Sequence, residues 1–288
     1  MQRKLTPSPS LYPFESHWFD TDEGRLHYID EGSGPPIVFV HGMPTWSFLW
    51  RDFVRELRDT HRCIAIDHLG FGLSDKPAEA DYHPRAHSER LTTLLDALGL
   101  ADVTLVVHDF GGPIGLGHAL SRPSTIGRLV LMNTWMWPLS EHEQALAVDR
   151  VVRGALGHAL YRWWNASARW LVPRVLGPGH RLNSDIHRHY IDVTRRSSER
   201  VAQLTLARSL VGASDWYASL WEQRATLATV PAHIIWGMKD PTFGPEELQR
   251  WCALFPDTGA IRLEEVGHFP QEEATKEVLG TFRKLVAG

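Results

Sequence analysis

The stretch VTLVVHDFGG, residues 103–112, decides how this 288-residue chain folds. It opens with a short apolar run typical of a strand that is buried on both faces. The run leads into a turn centred on Asp109, and Gly111 and Gly112 allow the next helix to pack closely against the strand. Asp109 could simply cap that helix, but the glycine pair favours a turn that presents a nucleophile at the carboxyl end of the strand.

Strands and helices alternate on both sides of this turn. Near the start, His17–Asp20 and Leu26–Asp30 alternate apolar and polar residues and predict an antiparallel hairpin. Short apolar runs predict further, mostly parallel strands at Pro36–Val40, Cys63–Ile66, Val103–Val107, Leu129–Met132, Ala232–Trp236 and Ala260–Leu263. Helical patterns lie at Phe48–Leu57, Pro84–Leu98, Pro113–Leu120 and Gln271–Val286. The chain therefore belongs to the α/β class, with a doubly wound and mostly parallel sheet.

The alternation breaks once, over residues 134–228, where strand signals vanish and tryptophans and arginines are frequent. A chain of 288 residues is near the upper limit for one hydrophobic core, so a smaller inserted domain is expected. We predict a core domain formed by residues 1–133 and 229–288, and a helical cap domain formed by residues 134–228.

The composition narrows the classes of function. The chain is 43% hydrophobic and 22% charged with a net charge of −4, which argues against a nucleic acid partner. Neither a secretory signal nor a run of about 18 apolar residues occurs, so we expect a cytoplasmic protein without a membrane partner. Cys63 and Cys252 fit no disulfide or zinc spacing, and no metal or organic cofactor is implied. The oligomeric state stays open.

Two later residues complete a catalytic set with Asp109. His268 lies on a loop before the last helix, and a histidine suits proton abstraction from water because its pKa lies near neutrality. Asp240 follows the apolar run Ala232–Trp236 and would orient that histidine, although an Asp-Pro pair also commonly begins a turn. The order of nucleophile, acid and histidine is the order of α/β-hydrolases. At the competing acid position stands Asn133, which carries no charge.

A second loop supplies a predicted oxyanion hole. The run FVHGMPTW, residues 39–46, ends a strand at the point where the α/β-hydrolase fold places a backbone donor. The amides of Met43 and Phe110 are the predicted donors, and they would stabilise the oxyanion that forms when water attacks a covalent ester. By itself, His-Gly-Met-Pro is also compatible with an ordinary strand-ending turn.

Four segments together resemble the haloalkane dehalogenase family of α/β-hydrolases, and the resemblance spans about residues 15–286. The segments are His41–Trp46, His108–Gly112, Trp236–Phe243 and Gly267–Glu272. The resemblance implies the α/β-hydrolase fold, a small apolar organic substrate, and a covalent alkyl ester that water hydrolyses. It also implies a triad of Asp109, His268 and Asp240.

Two departures from the family concern the halide. Family members usually carry Trp after the nucleophile as a halide donor, whereas this chain has Phe110, whose side chain has no donor. Met43 stands where Asn or Glu is often found. Halide stabilisation is therefore expected from Trp46, from a cap tryptophan such as Trp163 or Trp164, or from backbone amides.

Other functions on the same fold remain open. Epoxide hydrolases share the aspartate and the cap, and they need two cap tyrosines as proton donors, for which Tyr161 and Tyr217 are candidates. We also assign His41 and Phe269, which adjoin the predicted oxyanion loop and the histidine, to the substrate pocket. β-Lactone decarboxylation would use the same nucleophile. A non-enzymatic ligand receptor is disfavoured because the Asp-His-Asp set is intact.

Overall fold

The structure, a computed structural model, describes residues 6–286 and is built on one eight-stranded sheet. The outermost residues of the predicted core segments, 1–5 and 287–288, lie outside the described residues. The strands are β1 (His17–Thr21), β2 (Gly24–Glu31), β3 (Pro36–Val40), β4 (Arg62–Ile66), β5 (Val103–Asp109), β6 (Ile126–Thr134), β7 (Ala232–Gly237) and β8 (Ala260–Leu263). They lie in the order β1-β2-β4-β3-β5-β6-β7-β8.

Only β2 runs against the other strands of the sheet. β1 pairs with β2 and β2 with β4 in antiparallel fashion, and every later pairing in the sheet is parallel. The chain forms β3, crosses to β4 on one side and then returns to β5 on the other, so β3 and β5 lie at a topological switch point. Ligands of open α/β sheets bind at the carboxyl ends of strands beside such a point. The predicted doubly wound, mostly parallel sheet is confirmed.

Helices cover both faces of the sheet and fill the long segment between β6 and β7. They are α1 (Arg51–Leu57), α2 (Pro84–Ala97), α3 (Gly111–Ser121), α4 (Glu143–Arg153), α5 (Ala155–Arg162), α6 (Val172–Arg174), α7 (Ser184–Asp192), α8 (Val201–Gly212), α9 (Ser214–Glu222), α10 (Pro245–Leu254), α11 (Pro270–Glu273) and α12 (Thr275–Val286). Single helical turns occur at Ser47–Trp50, Pro123–Thr125, Ser167–Leu171, Ser197–Arg200 and Arg224–Thr229. No helix within residues 6–286 combines the length and the apolar content needed to cross a bilayer.

The structure corrects the sequence prediction at several element ends. The predicted last helix is divided into α11 and α12 because Ala274 adopts a non-helical conformation, with φ −130° and ψ 37°. Two strands run further than their apolar residues, because a register shift lets Asp109 at the end of β5 pair with Thr134 at the end of β6. The functional turn is thus anchored in the sheet itself.

Side chains of the central strands alternate between two buried clusters. Val38 and Val40 of β3 face a cluster that includes residues of α2 and α3, whereas Ile37 and Phe39 face one that includes residues of α1 and α12. This alternation is the period of two that a strand imposes. Tyr217 of α9 belongs to the first cluster. The segment predicted as a cap thus shares an apolar core with the sheet, and its separation as a domain stays a prediction.

Candidate active site

The nucleophile turn, residues 109–112, holds Asp109 in a conformation that few non-glycine residues adopt. Asp109 has a φ of +53°, in the left-handed region, and its side chain is buried. Such strain costs on the order of 1 kcal/mol or more and persists only where neighbouring structure enforces it. That structure is tight: a Cβ on Gly111 would overlap the Val40 carbonyl, and one on Gly112 would overlap the Thr134 hydroxyl. The turn therefore requires both glycines.

His268 lies between two carboxylates. Its Nδ1 donates to Asp240 Oδ2 at 2.6 Å, and its Nε2 lies 3.4 Å from Asp109 Oδ2. All three side chains are buried, with relative exposures of 6–8% for the residues. The structure therefore brings the three predicted residues together in the sequence of contacts that a nucleophile, a base and an orienting acid require.

Asp240 is held by more than the histidine. The Asn133 side-chain amide donates to Asp240 Oδ2 at 3.0 Å and to the Gly237 carbonyl at 3.0 Å, and its oxygen accepts from the Gly237 amide. The Thr242 amide donates to Asp240 Oδ1 at 2.8 Å. Both oxygens of the acid are thereby fixed. In the sequence, Asn133 was notable only as an absent acid, and its positioning contact with Asp240 was not predicted.

The histidine loop is fixed by a residue that the sequence analysis did not identify. Glu273 accepts hydrogen bonds from the amides of Gly177, Gly267 and Phe269 at 2.6–2.9 Å. The amide of His268 donates to the Val175 carbonyl at 2.8 Å. The segment before α7 therefore sets the position of the base. The signal in the sequence was a glutamate in the first turn of the predicted last helix, a position where carboxylates accept hydrogen bonds from free backbone amides.

The loop after β3 faces the nucleophile. The Met43 amide donates to Asp109 Oδ1 at 2.7 Å, and a backbone hydrogen bond from Phe110 helps to lower the pKa of the same carboxyl. His41 supports this loop: its Nδ1 donates to the Gly42 carbonyl at 2.7 Å, and its Nε2 accepts from the amide of His68 at 3.1 Å. Both predicted backbone donors therefore face one carboxylate, and His41 braces the loop that carries the first of them.

The charges of the site favour an ion pair in the resting state. Burial would raise the pKa of Asp109, but the hydrogen bond and charge of His268 outweigh it and lower that pKa. Burial would also lower the pKa of His268, but Asp240 and Asp109 outweigh it and raise that pKa to about 10. Burial lowers the pKa of the neighbouring His108 to about 3, so that ring stays neutral. His268 is the cation between two carboxylates.

Aromatic side chains surround the nucleophile. The Phe110 ring packs edge-on against Trp135 at 4.8 Å between centroids, and Phe269 packs against His268 at 4.8 Å. Burial and then the charge of Asp109 raise the pKa values of Tyr161 and Tyr217, so both phenols lie within electrostatic reach of the nucleophile. Their environments differ in hydrogen bonding.

The Tyr217 hydroxyl donates to the Ser209 carbonyl at 3.0 Å and is therefore engaged in holding α8 against α9. Within the described part of the chain, the Tyr161 hydroxyl has no hydrogen-bond partner. Its ring packs beside Met43 in a small apolar cluster formed with α4 and α8. Tyr161 is thus the phenol near the nucleophile whose donor is unengaged.

The structure brings none of the three predicted pocket tryptophans, Trp46, Trp163 and Trp164, into contact with the triad. Trp163 and Trp164 are 68% and 54% exposed, so these side chains are directed to solvent and do not enclose the site. Trp46 is fully buried, but its ring packs against Tyr12 at 5.1 Å and Phe48 at 5.4 Å. Trp163, Trp164 and Trp46 make no contact with the triad, so the expectation that one of these indoles meets the halide stays a prediction.

No group of three or more His, Cys, Asp or Glu side chains within residues 6–286 is arranged to hold a metal ion. The polar groups at the carboxyl edge of the sheet are instead occupied with one another. Together they can perform nucleophilic attack by a carboxylate, deprotonation of water by an imidazole, and stabilisation of an oxyanion by two amides.

Known proteins of the α/β-hydrolase fold match this chain over most of its length. Residues 35–275 match the family described as alpha/beta hydrolase fold. Haloalkane dehalogenase 2 of Mycobacterium tuberculosis is 40% identical over 281 residues, which cover 96% of this chain and 97% of the relative. Cis-3-alkyl-4-alkyloxetan-2-one decarboxylase of Shewanella oneidensis is 35% identical over 284 residues, which cover 94% of this chain and 87% of the relative.

Solved structures give the same fold. Haloalkane dehalogenase DbeA from Bradyrhizobium elkani superposes with a TM-score of 0.86 at 24% identity, covering 96% of this chain and 98% of that one. Haloalkane dehalogenase DatA from Agrobacterium tumefaciens superposes with a TM-score of 0.87 at 22% identity, covering 98% and 99%. At these identities the likeness bears on the fold, and chemistry must be argued from the site.

Proposed function

The chain belongs to the haloalkane dehalogenase family of α/β-hydrolases, and on that premise we propose that it hydrolyses carbon–halogen bonds through an ester on Asp109. The observation that carries the proposal is the placement of His268 between Asp109 and Asp240, at 3.4 and 2.6 Å. An aspartate nucleophile gives an alkyl ester, which needs a base-activated water to release it. The reactants are a small apolar organic molecule and water, and the proposed location is the cytoplasm.

In the first step Asp109 Oδ2 attacks the carbon that bears the halogen, and the carbon–halogen electron pair leaves with the halide. In the second step His268 removes a proton from water, and the water oxygen attacks the ester carbon of Asp109. The negative charge then develops on Oδ1, to which the Met43 amide donates, and the Phe110 amide donates to the same carboxyl group. Collapse breaks the bond to the alkoxy oxygen, which takes the proton held by His268 and leaves as the alcohol. The new carboxyl group loses its proton, so the net products are alcohol, halide and one proton.

The pKa of His268 couples the two steps. With a pKa of about 10, His268 is protonated in the resting enzyme at neutral pH and cannot yet act as a base. Ester formation removes the negative charge of Asp109, which is one of the groups that raise this pKa. The imidazole can then lose its proton and activate water. Formation of the covalent intermediate thus favours the neutral, basic form of His268, although Asp240 continues to raise its pKa.

The leaving halide needs a donor that Phe110 lacks. We assign this role to the Tyr161 hydroxyl, because it is buried within electrostatic reach of Asp109 and makes no hydrogen bond within the described residues. The Tyr217 hydroxyl is engaged with Ser209. A phenol near the nucleophile also fits an epoxide oxygen, so epoxide hydrolysis remains the first alternative. The decarboxylase relative favours opening of a β-lactone as the second.

The test is ester trapping in His268→Phe and His268→Gln variants, measured by intact-protein mass spectrometry and peptide mapping. Each variant is offered 1-bromobutane, 1,2-dibromoethane, styrene oxide or a cis-3-alkyl-4-alkyl oxetan-2-one. We expect an alkyl adduct on Asp109 with bromide release, and no adduct when Asp109→Asn is added. Tyr161→Phe should slow adduct formation about tenfold, the loss of roughly one hydrogen bond to a charged group, while Tyr217→Phe should not. Adducts only from the epoxide or lactone would reassign the activity.

A further inference from the structure

The largest exposed apolar side chains of the molecule crowd into one stretch of chain. Seven of the eight large hydrophobic residues exposed within the described residues fall between 148 and 171, on α4, α5 and the turn that follows. They include Leu156 at 62%, Trp163 at 68%, Trp164 at 54% and Trp170 at 49%. Scattered exposed apolar residues are ordinary, but several tryptophans in consecutive segments indicate an interaction surface. We call these residues, 148–171, the tryptophan surface.

The exposure of these tryptophans is fixed by buried polar contacts. The buried guanidinium of Arg200 donates to the carbonyls of Arg162, Thr194 and Arg195 at 2.6–3.0 Å. Asn165, with a φ of +53°, donates from its side chain to the Ile191 carbonyl at 3.1 Å. The tryptophan turn, residues 162–165, is thus anchored on both sides. Its two indoles are presented to solvent by a rigid support, and not by a loosely packed loop.

The charge of this segment is mainly positive, and the one acidic residue of the tryptophan surface, Asp149, is paired with Arg153 at 2.6 Å. Residues 150–184 contain six arginines and no Asp or Glu. Residues 134–228 as a whole carry twelve arginines against eight acidic side chains, whereas the rest of the chain carries 18 basic and 26 acidic side chains. A chain with a net charge of −4 therefore concentrates positive charge beside its exposed indoles.

We propose that the tryptophan surface docks on the anionic surface of a lipid bilayer. Tryptophan rings favour the membrane–water interface, and arginines beside them attract anionic headgroups. A second copy of the chain fits less well, because a symmetric contact would bring the arginines of residues 150–184 against each other. A membrane partner was not expected from the sequence because the chain has no segment that could span a bilayer. That observation concerns insertion into the bilayer and does not bear on docking at its surface.

Docking would bring lipid close to the reaction. Helix α5 directs Gly157 and Tyr161 inward and Leu156 outward, so one helix adjoins both the nucleophile's surroundings and the tryptophan surface. Apolar haloalkanes concentrate in bilayers, and the membrane would then serve as their source. This consequence rests on the proposed function, whereas docking itself does not. A binding assay that does not measure turnover separates a failure of one from a failure of the other.

The test is co-sedimentation of the full chain with vesicles of phosphatidylglycerol and phosphatidylcholine, at low and at high salt. We expect binding to the anionic vesicles that weakens with salt. Trp163→Ala/Trp164→Ala should weaken it on the order of tenfold or more, from lost apolar burial. Arg169→Glu/Arg174→Glu should weaken it by at least about 25-fold, since each arginine near the surface contributes about fivefold.

The matched controls lie on two strands of the sheet, β1 and β8. Trp18→Ala removes a partly exposed tryptophan of β1, and Arg262→Glu reverses a charge on β8. Neither should change vesicle binding. The proposal is overturned if wild type does not bind anionic vesicles, or if either control weakens binding as much as the cap variants. It is also overturned if the tryptophan variants merely convert a dimer to a monomer in size-exclusion light scattering.

Discussion

The nucleophile turn and the tryptophan turn contain the same left-handed backbone conformation but direct side chains in opposite directions. Asp109 and Asn165 each have a φ of +53°; Asp109 is the last residue of β5, and Asn165 lies three residues past the end of α5. The first directs a carboxylate inward among buried partners, whereas the second directs two indoles outward. A left-handed residue is costly, so in both places surrounding contacts must impose it. In these two turns, the strained residue therefore lies beside the side chains that the proposed catalysis and the proposed docking use.

The largest expected effect concerns the acid that orients His268. Asp240→Asn should lower turnover by about 10⁴, because an amide favours the wrong tautomer of His268. Asn133 shares an oxygen of Asp240, so Asn133→Asp/Asp240→Asn moves the acid by one side chain. The double variant should recover at least tenfold over the single variant in steady-state halide release. If the double variant has native thermal stability but is as inactive as the single variant, an acid on β6 cannot replace the acid that follows β7.

The next largest effect concerns the proton on His268. Asp109→Asn removes a charge and a hydrogen bond that raise the pKa of His268, so this pKa should fall below about 10. NMR titration of the ring, assigned by comparison with His268→Phe, measures the shift. The sign for stability follows: a raised pKa stabilises the folded state fully below the ordinary 6.5, and this contribution is lost as pH rises through about 10. Wild type should therefore lose more stability over that range than Asp109→Asn.

Features of the fold and the site could be predicted from the sequence when the residues that form them are close together along the chain. The nucleophile turn was predictable because its strand, aspartate and glycines are consecutive. His268 and Asp240 were predictable from their order and their places after strands. The contact of Asn133 with Asp240 spans 107 residues and left no local signal. The outward direction of Trp163 depends on Arg200, 37 residues away, so composition alone suggested a pocket residue.

The nucleophile turn leaves no room for a larger residue at Gly112. Gly112→Ala would place a methyl group into the Thr134 hydroxyl and should destabilise the fold by about 2–3 kcal/mol, since an overpacked core costs about that much. Gly280→Ala on α12 is the matched control, because nothing lies within 4 Å of the new Cβ. It should stabilise by about 0.5–1 kcal/mol, as alanine does in an exposed helix. Urea unfolding of both variants gives the difference, and equal effects would contradict the close approach of β6.

The smallest expected effect tests whether the tryptophan turn is held as firmly as the nucleophile turn. Asn165→Ala loses the hydrogen bond to Ile191 and places alanine at a left-handed φ, so it should cost about 1–2 kcal/mol. Asn165→Gly loses the same bond without the backbone penalty and should cost about 1 kcal/mol less. Because Trp163 and Trp164 follow the geometry of this turn, the alanine variant should also bind anionic vesicles more weakly than the glycine variant. Equal stability and equal binding of the two variants would mean that the left-handed residue supports nothing, and the likeness between the two turns would then be one of geometry only.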